Sequence, residues 1–347
     1  MSRAPWNRGD ASVYFIAEAG VNHDGEVEEA VKLVRAAARA GADAVKFQTW
    51  KPGELTGRFT GKAAYMDTTT PPDESRYELS ARLALPYEAF TRLKGECERA
   101  GIDFMSTPDG FESLDFLVDD LNMDVIKVGS TEVNHLALLR AIGAKRRPVI
   151  LSTGLSSLSE VAAAAEAVRE GGAEEICVLQ CTSQYPAPDA DINLRAMAAM
   201  GDALKAPFGL SDHSTGAPAV IAAAAMGARV IEKHFTLDRS RAGPDHQASL
   251  TADELGEVIA DLRRVESMLG DGLKRVRRSE AANHDAVRRS VVAARAISAG
   301  EILTADMLVC KRPGWGIEPD LLEAICGFAP ARDLREDEPI RWEDLRR

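Results

Sequence analysis

Residues 208–234, FGLSDHSTGAPAVIAAAAMGARVIEKH, hold the repeating unit of the whole fold. A short β-rich run (208–210) ends in the polar triplet Ser211-Asp212-His213, and an apolar, alanine-rich segment (217–228) follows. A second β-rich run (230–232) then ends in Glu232-Lys233-His234. Strand, polar end, helix, strand, polar end is the pattern of an α/β protein. The apolar segment is shorter than the roughly 20 residues needed to cross a bilayer, so no membrane-spanning helix is expected.

Working outward, the unit recurs. Runs at 13–17, 44–47, 103–105, 125–128, 149–151 and 176–179 bring the number of expected strands to eight. The segments between them carry helical spacing, as in Val27, Ala30, Val31, Val34, Ala37 and Ala38, which form one apolar stripe. Nearly continuous apolar strands are covered on both faces, and right-handed crossovers joining eight of them close into a (β/α)8 TIM barrel. Polar residues follow the other six runs too: Glu18; Lys46 and Gln48; Ser106-Thr107-Pro108; Lys127 with Ser130 and Glu132; Ser152-Thr153-Gly154; Cys181-Thr182-Ser183. One Ser or Thr after a strand reads as a helix N-cap. Polar groups at all eight ends exceed what capping explains, and in a barrel those ends converge on one mouth, where catalytic groups sit.

The barrel is expected over 1–270. Gly270-Asp271-Gly272 and the basic run Lys274-Arg275-Val276-Arg277-Arg278 mark a solvated linker, 271–285. A small β-rich domain, 286–347, follows, with tight turns at Ser298-Ala299-Gly300 and Pro313-Gly314. A module of that size has a thin core and normally leans on a partner. The connection 50–85 exceeds a plain βα loop and is expected to line or cover the mouth.

The chain has 347 residues, 45% of them apolar, and a formal charge of −12. That charge excludes nucleic acid and anionic membrane surfaces as expected partners, because both require a basic face. Residues 1–10 carry no apolar core of a signal peptide, which points to a cytoplasmic protein. Cys97, Cys177, Cys181, Cys310 and Cys326 are scattered, with no Cys-x-x-Cys pair, and are expected as reduced, mostly buried thiols.

His213 and His234 end neighbouring strands, so both imidazoles can approach one ion. Two histidines leave most of an octahedral shell open, which suits catalytic Mn2+ or Mg2+ and not a closed zinc site. His246, in Gly243-Pro244-Asp245-His246, is a weaker candidate ligand. Lys46 and Lys127 offer fixed positive charge for a phosphate or carboxylate; the anion that compensates them in this acidic chain is expected to be the ligand. The same lysines would also serve a Schiff-base aldolase of sugar acids. A non-catalytic carbohydrate-binding protein is the alternative outside enzymes, and a dense polar mouth argues against it.

Six ordered stretches carry a resemblance across nearly the whole chain: IAEAGVNHDG (16–25), VKFQT (45–49), IKVGSTE (126–132), GLSDH (209–213), EKHFT (232–236) and KRPG (311–314). They resemble the sialic acid synthase family, which includes the legionaminic and pseudaminic acid synthases; Gly243-Pro244-Asp245-His246 is more similar to the legionaminic branch. The resemblance implies a metal-dependent barrel with a C-terminal antifreeze-like (SAF, β-clip) domain. It implies condensation of phosphoenolpyruvate with an N-acylated mannosamine-type sugar to a nine-carbon 2-keto-3-deoxy acid and phosphate. By that resemblance Lys46, Thr107, Lys127, Ser130, Ser152, Ser183, Tyr185 and Ser211 hold phosphoenolpyruvate, with Lys127 also counted as catalytic. His213 and His234 bind the metal. Glu18, Glu132, Asp245 and Arg312 face the sugar or the reacting atoms, with Glu18 or Glu132 as the base for the attacking water. A homodimer is implied in which each small domain caps the partner's barrel and presents Arg312. Three departures bear on the sugar: Thr131 where glycine is common, Trp315 after Pro313-Gly314, and Glu74-Ser75-Arg76 without the amide side chain some members use.

Overall fold

The computed structural model describes residues 4–7 and 12–347 and divides the chain into two compact units, Met1–Gly270 and Asp271–Arg347. Part of the N-terminal stretch read above for a signal peptide, residues 1–3 and 8–11, lies outside the described residues.

In the first unit the strands are β1 (Tyr14–Gly20), β2 (Ala44–Thr49), β3 (Asp103–Pro108), β4 (Ile126–Val128), β5 (Val149–Ser152), β6 (Ile176–Cys181), β7 (Phe208–Asp212) and β8 (Val230–Thr236). They pair in parallel in the order β3-β2-β1-β8-β7-β6-β5-β4, with β9 (Leu250–Thr251) added beside β8. No ladder joins β3 to β4 among the described residues, although the two pack side by side, so the eight-stranded barrel is nearly closed. Several strands run further than their apolar residues alone suggest. β1, β6 and β8 absorb the polar residues expected just after them.

Period-2 alternation sorts each strand's side chains. Phe15, Ala17, Val45, Phe47, Val149, Leu151, Val178, Ile231 and Phe235 join the large core shared with the helices. Tyr14, Ile16, Ala44, Met105, Val125, Ile150, Cys177, Leu179 and Val230 fill the barrel interior. Trp6 belongs to that inner cluster, and its carbonyl accepts from Arg229 Nη2 at 2.8 Å. One step further along each strand, the same inward alternation presents Glu18, Lys46, Thr107, Lys127, Ser152, Cys181, Ser211, Glu232 and His234.

The helices of this unit are α1 (Val27–Ala40), α2 (Arg76–Leu83), α3 (Tyr87–Ala100), α4 (Phe111–Asp115), α5 (Leu136–Ala144), α6 (Leu158–Gly171), α7 (Arg195–Leu204), α8 (Pro218–Ala225) and α9 (Ala252–Leu269). Helix α1 buries Ala30, Val31, Leu33, Val34, Ala36 and Ala37 and stops at Gly41, whose φ of 85° a side chain would resist. The side-chain caps of α2, α6 and α9 are Ser75, Ser157 and Thr251, each in a capping box with a glutamate three residues on. None of these ends one of the eight barrel strands. Ser106, Thr107, Ser152 and Ser211 are buried without capping a helix, so the capping explanation fails at the mouth. No helix among the described residues is long and apolar enough to cross a membrane.

The second unit pairs β10 (Ser290–Ala293) with β11 (Leu308–Lys311) and β12 (Ala329–Pro330) with β13 (Leu345–Arg346), all antiparallel. Its core is Val291, Ala293, Ile297, Leu303, Leu308, Ile317, Ile325, Leu334 and Ile340. Residues 271–285, expected as a linker, lie within this unit and include the four-residue helix α10 (Arg278–Ala281).

Candidate active site

At the C-terminal ends of the strands lies a cavity of about 370 Å3. Its wall includes twelve of the fourteen residues expected from sequence: Glu18, Lys46, Thr107, Lys127, Ser130, Ser152, Ser183, Tyr185, Ser211, His213, His234 and Asp245. Glu132 does not line it. That residue is half-buried at the end of the 3-10 turn Ser130–Glu132, and burial raises its carboxyl above the ordinary range. Arg312 belongs to the second unit, where its Nε donates to the Val287 carbonyl at 2.8 Å.

The floor of the cavity is a chain of alternating charges. Lys46 Nζ lies 2.8 Å from Glu18 Oε1 and 3.7 Å from Glu232 Oε2, and Lys127 Nζ lies 3.4 Å from Glu232 Oε1. Lys46 also donates to Thr107 Oγ1 at 3.2 Å, Lys127 to Ser152 Oγ at 2.7 Å, and Ser211 Oγ to Glu232 Oε1 at 3.0 Å. The compensating anions of the buried lysines are therefore the protein's own Glu18 and Glu232. This corrects the expectation that the ligand alone supplies them. Glu232 was legible only as one polar residue among many; its place between Lys46 of β2 and Lys127 of β4 follows from the curling of the sheet into a barrel, which turns β2, β4 and β8 toward one interior.

Burial pushes the Glu18 carboxyl up to about 7 despite Lys46. Burial would raise Glu232 as well, but Lys127 and Lys46 together hold it down. Burial lowers the Lys127 ammonium, whereas Lys46 is raised because Glu18 and Glu232 outweigh its own desolvation.

The hydroxyls are crowded toward this floor. Ser130 Oγ accepts from the Gly154 backbone N–H at 2.9 Å. A side chain at Gly154 would collide with Ser183 Oγ and come within 3.0 Å of Ser130 Oγ, so only glycine leaves both hydroxyls in place.

Beside this floor His213 and His234 stand with ring centroids 5.3 Å apart. His213 Nδ1 lies 2.8 Å from the Thr182 carbonyl, which can only accept, so the Nδ1–H donates and, in the neutral ring, the lone pair is on Nε2. His234 Nδ1 is buried and has no hydrogen-bond partner; Asp245 Oδ2 is 3.8 Å away. Tyr185 stacks on His213 at 4.1 Å and meets His234 edge-on. An oriented imidazole beside an orphaned one fits a divalent cation held mainly by non-protein ligands. No cluster of three or more His, Cys, Asp or Glu ligands occurs among the described residues. His246 is committed elsewhere, Nδ1 to Thr236 Oγ1 at 2.7 Å and Nε2 to Asp24 Oδ1 at 3.0 Å.

Alternation also removes two polar residues from the mouth. Asp212 and Lys233 pair with each other at 2.5 Å, turned away from the cavity. In exchange the cavity gains Gln48, Tyr65, Arg76, Asp109 and Cys181, which sequence reasoning did not assign. Gln48 and Cys181 were signalled by their strand-end positions. Tyr65 and Arg76 come from the long connection, which was expected to line or cover the mouth without any residue of it being singled out for the cavity.

A profile of the NeuB family matches residues 33–274, more than half of the chain. The chain belongs to the sialic acid synthase family. A SAF-domain profile matches residues 288–346 of this NeuB-family chain. It is 40% identical to the N,N'-diacetyllegionaminic acid synthase of Campylobacter jejuni over 329 residues, covering 94% of this chain and 98% of that one. It is 37% identical to the enzyme of the same name from Legionella pneumophila, covering 97% and 96%. Among solved structures it resembles the N-acetylneuraminic acid synthetase of Leptospira borgpetersenii in complex with citrate, with a TM-score of 0.72 at 29% identity, over 82% of this chain and 94% of that one.

Proposed function

We propose that this chain condenses phosphoenolpyruvate with an N-acylated mannosamine-type sugar, giving a nine-carbon 2-keto-3-deoxy sugar acid and phosphate. The observation that carries the reading is the cavity floor. Two buried lysines and a crowd of hydroxyls share one cavity with a histidine pair that has an orphaned nitrogen. The two legionaminic acid synthases similar to it over nearly their full lengths favour the 2,4-diacetamido-6-deoxy sugar over N-acetylmannosamine as acceptor.

In this reading Lys46, Lys127, Thr107, Ser130, Ser152, Ser183 and Ser211 bind the phosphate and carboxylate of phosphoenolpyruvate, where charge-assisted hydrogen bonds are strongest. His213 and His234 would hold Mn2+ or Mg2+, which when bound supplies Lewis-acid polarisation of the sugar aldehyde. The enol pair of phosphoenolpyruvate forms the bond from its C3 to the aldehyde carbon, and the aldehyde oxygen takes up a proton. Water adds at the resulting C2 cation and gives one proton to Glu18; the bond from C2 to the bridging oxygen then breaks, phosphate leaves with that oxygen and the bonding pair, and it takes the proton of the remaining C2 hydroxyl, which becomes the ketone. Glu18 suits that transfer because its carboxyl is poised near neutrality and lines the cavity, which Glu132 does not. The reading includes a cytoplasmic homodimer in which Arg312 serves the partner's site; its support is the resemblance at residues 311–314.

Incubation with phosphoenolpyruvate and each acceptor tests it, with phosphate release and mass spectrometry of the product as readouts. Turnover without phosphate release overturns it. One observation favours a Schiff-base aldolase, the lowered Lys127 ammonium. Borohydride trapping of pyruvate on Lys127 would establish that second reading.

A further inference from the structure

From β3 round to β7 the cavity wall is polar, with Thr107, Lys127, Ser130, Ser152, Cys181 and Ser183 among its residues. Leu155 is the one large aliphatic side chain on that side among the described residues. The others that line the cavity, Val21, Leu55 and Leu83, stand just after β1 and on the long connection.

Leu155 is 83% exposed although it lines the cavity. Its φ is 62°, in the left-handed region where the Cβ of an L-residue crowds the following carbonyl. Every other non-glycine residue with positive φ among the described residues is polar: Asp24, Asn122, Arg146, Asn193, Lys205 and Asp337. So exposed a leucine gains little packing to offset the strain. The turn that carries it is pinned at both ends. The Gly154 N–H donates to Ser130 Oγ at 2.9 Å, Ser156 Oγ donates to the Gly154 carbonyl at 3.2 Å, and Ser157 caps α6.

The pinning decides where the leucine stands. Gly154 lies so close to the hydroxyls that a Cβ there would collide with Ser183 Oγ and come within 3.0 Å of Ser130 Oγ and 3.2 Å of Cys181 Sγ. The side chain of the next residue therefore rises at the rim of those same groups. Hydroxyls hold an anion in competition with water, and a hydrocarbon group laid over them removes the competitor and strengthens each charged contact beneath it. Phosphoenolpyruvate presents a matching surface, because an uncharged methylene stands beside its phosphate and carboxylate.

Resting on the synthase reading, we propose that Leu155 is a substrate-binding residue for phosphoenolpyruvate. Its side chain packs on the enol methylene and covers the hydrogen bonds from Ser130 and Ser183 to the ligand. The left-handed backbone is what aims it there.

The test reads calorimetric binding of phosphoenolpyruvate, thermal unfolding and phosphate release in wild type, Leu155→Ala, Leu155→Asn and Leu155→Met. Alanine keeps the strained backbone and loses the cover, so Kd and KM for phosphoenolpyruvate should rise about tenfold, the worth of burying most of a leucine side chain, with the unfolding midpoint within about 1 °C. Asparagine accepts the left-handed conformation more readily, so the same weakening should come with a midpoint raised by about 2–4 °C. Methionine restores the cover and should bind within about threefold of wild type. The acceptor KM should stay within about twofold throughout. Wild-type affinity for phosphoenolpyruvate in Leu155→Ala overturns the assignment, as does equal weakening by methionine and alanine or an acceptor KM that rises as far as that of phosphoenolpyruvate. A midpoint lowered by asparagine would give Leu155 a purely structural task and overturn it too. If wild type binds phosphoenolpyruvate and the variants weaken as stated, yet no acceptor brings phosphate release, the synthase reading falls while this assignment stands. If wild type binds no phosphoenolpyruvate, both fall.

Discussion

Replacing Glu232 by glutamine should expose how the charged floor is balanced. The side chain keeps its shape and an oxygen able to accept from Ser211, so packing is conserved and only the charge is lost. Lys127 and Lys46 sit 3.4 Å and 3.7 Å from that carboxylate. At an effective dielectric of 20 each contact is worth about 5 kcal/mol gross. Relaxation and partial neutralisation reduce the net cost to about 3–5 kcal/mol, the usual result of removing one partner from a buried pair. Urea unfolding of chelated protein at pH 7 should show this loss against wild type. Lys127 already titrates below its ordinary range and should be lowered further. The unfolded chain then binds the proton that the folded variant has lost, so stability rises with pH up to the unfolded lysine value, and the deficit should shrink from pH 7 to 10. Phosphoenolpyruvate, as a replacement anion, should recover part of the loss, about 2.7 kcal/mol at a hundred times its Kd. A variant within about 0.5 kcal/mol of wild type at pH 7 would refute the charge-balance argument, because the surface-like range would then cover both lysines.

Glu18→Gln should lower kcat by roughly 10²–10⁴ with little change in KM, and the wild-type limb of kcat near pH 7 should vanish with it; a defect confined to KM would return Glu18 to substrate positioning. Gly154→Ala forces Ser183 Oγ out of the cavity, so the KM for phosphoenolpyruvate should rise about tenfold while the acceptor KM holds, read in the phosphate assay. Burial holds the His23 imidazole down at about 4, so it folds neutral, and stability falls as pH drops from 6.5 toward 4, by up to about 2 kcal/mol at pH 5. His23→Gln should flatten that segment of the urea-unfolding profile. Arg312→Ala and His213→Ala proteins, mixed and reassembled, should regain up to about half of wild-type turnover per mixed dimer if Arg312 serves the partner's site; no recovery despite subunit exchange would sink that arrangement.

The barrel and most of its mouth were legible in the amino-acid sequence because both depend on local patterns. Short apolar runs at regular intervals, each ending in polar residues, name the strands, and period 2 decides which side chains share a face. That period, carried through strands longer than their apolar cores, puts Glu18, Lys46, Lys127, Ser211 and His234 on the inner surface. The same rule turns Asp212 and Lys233 outward, which becomes visible only once the strands are known to continue through them. What tertiary structure alone decided are relations across strands that share no sequence neighbourhood. The seating of Glu232 between two lysines, the Thr182 carbonyl that fixes the His213 tautomer, and the withdrawal of Glu132 from the cavity wall all depend on barrel closure and stagger. Arg76 and Tyr65 enter the site from the long connection 50–85; the Ser75-x-x-Glu78 spacing marks the start of α2, but only the packing of Trp50, Met66, Leu79 and Leu83 with Val21 brings that segment to the mouth.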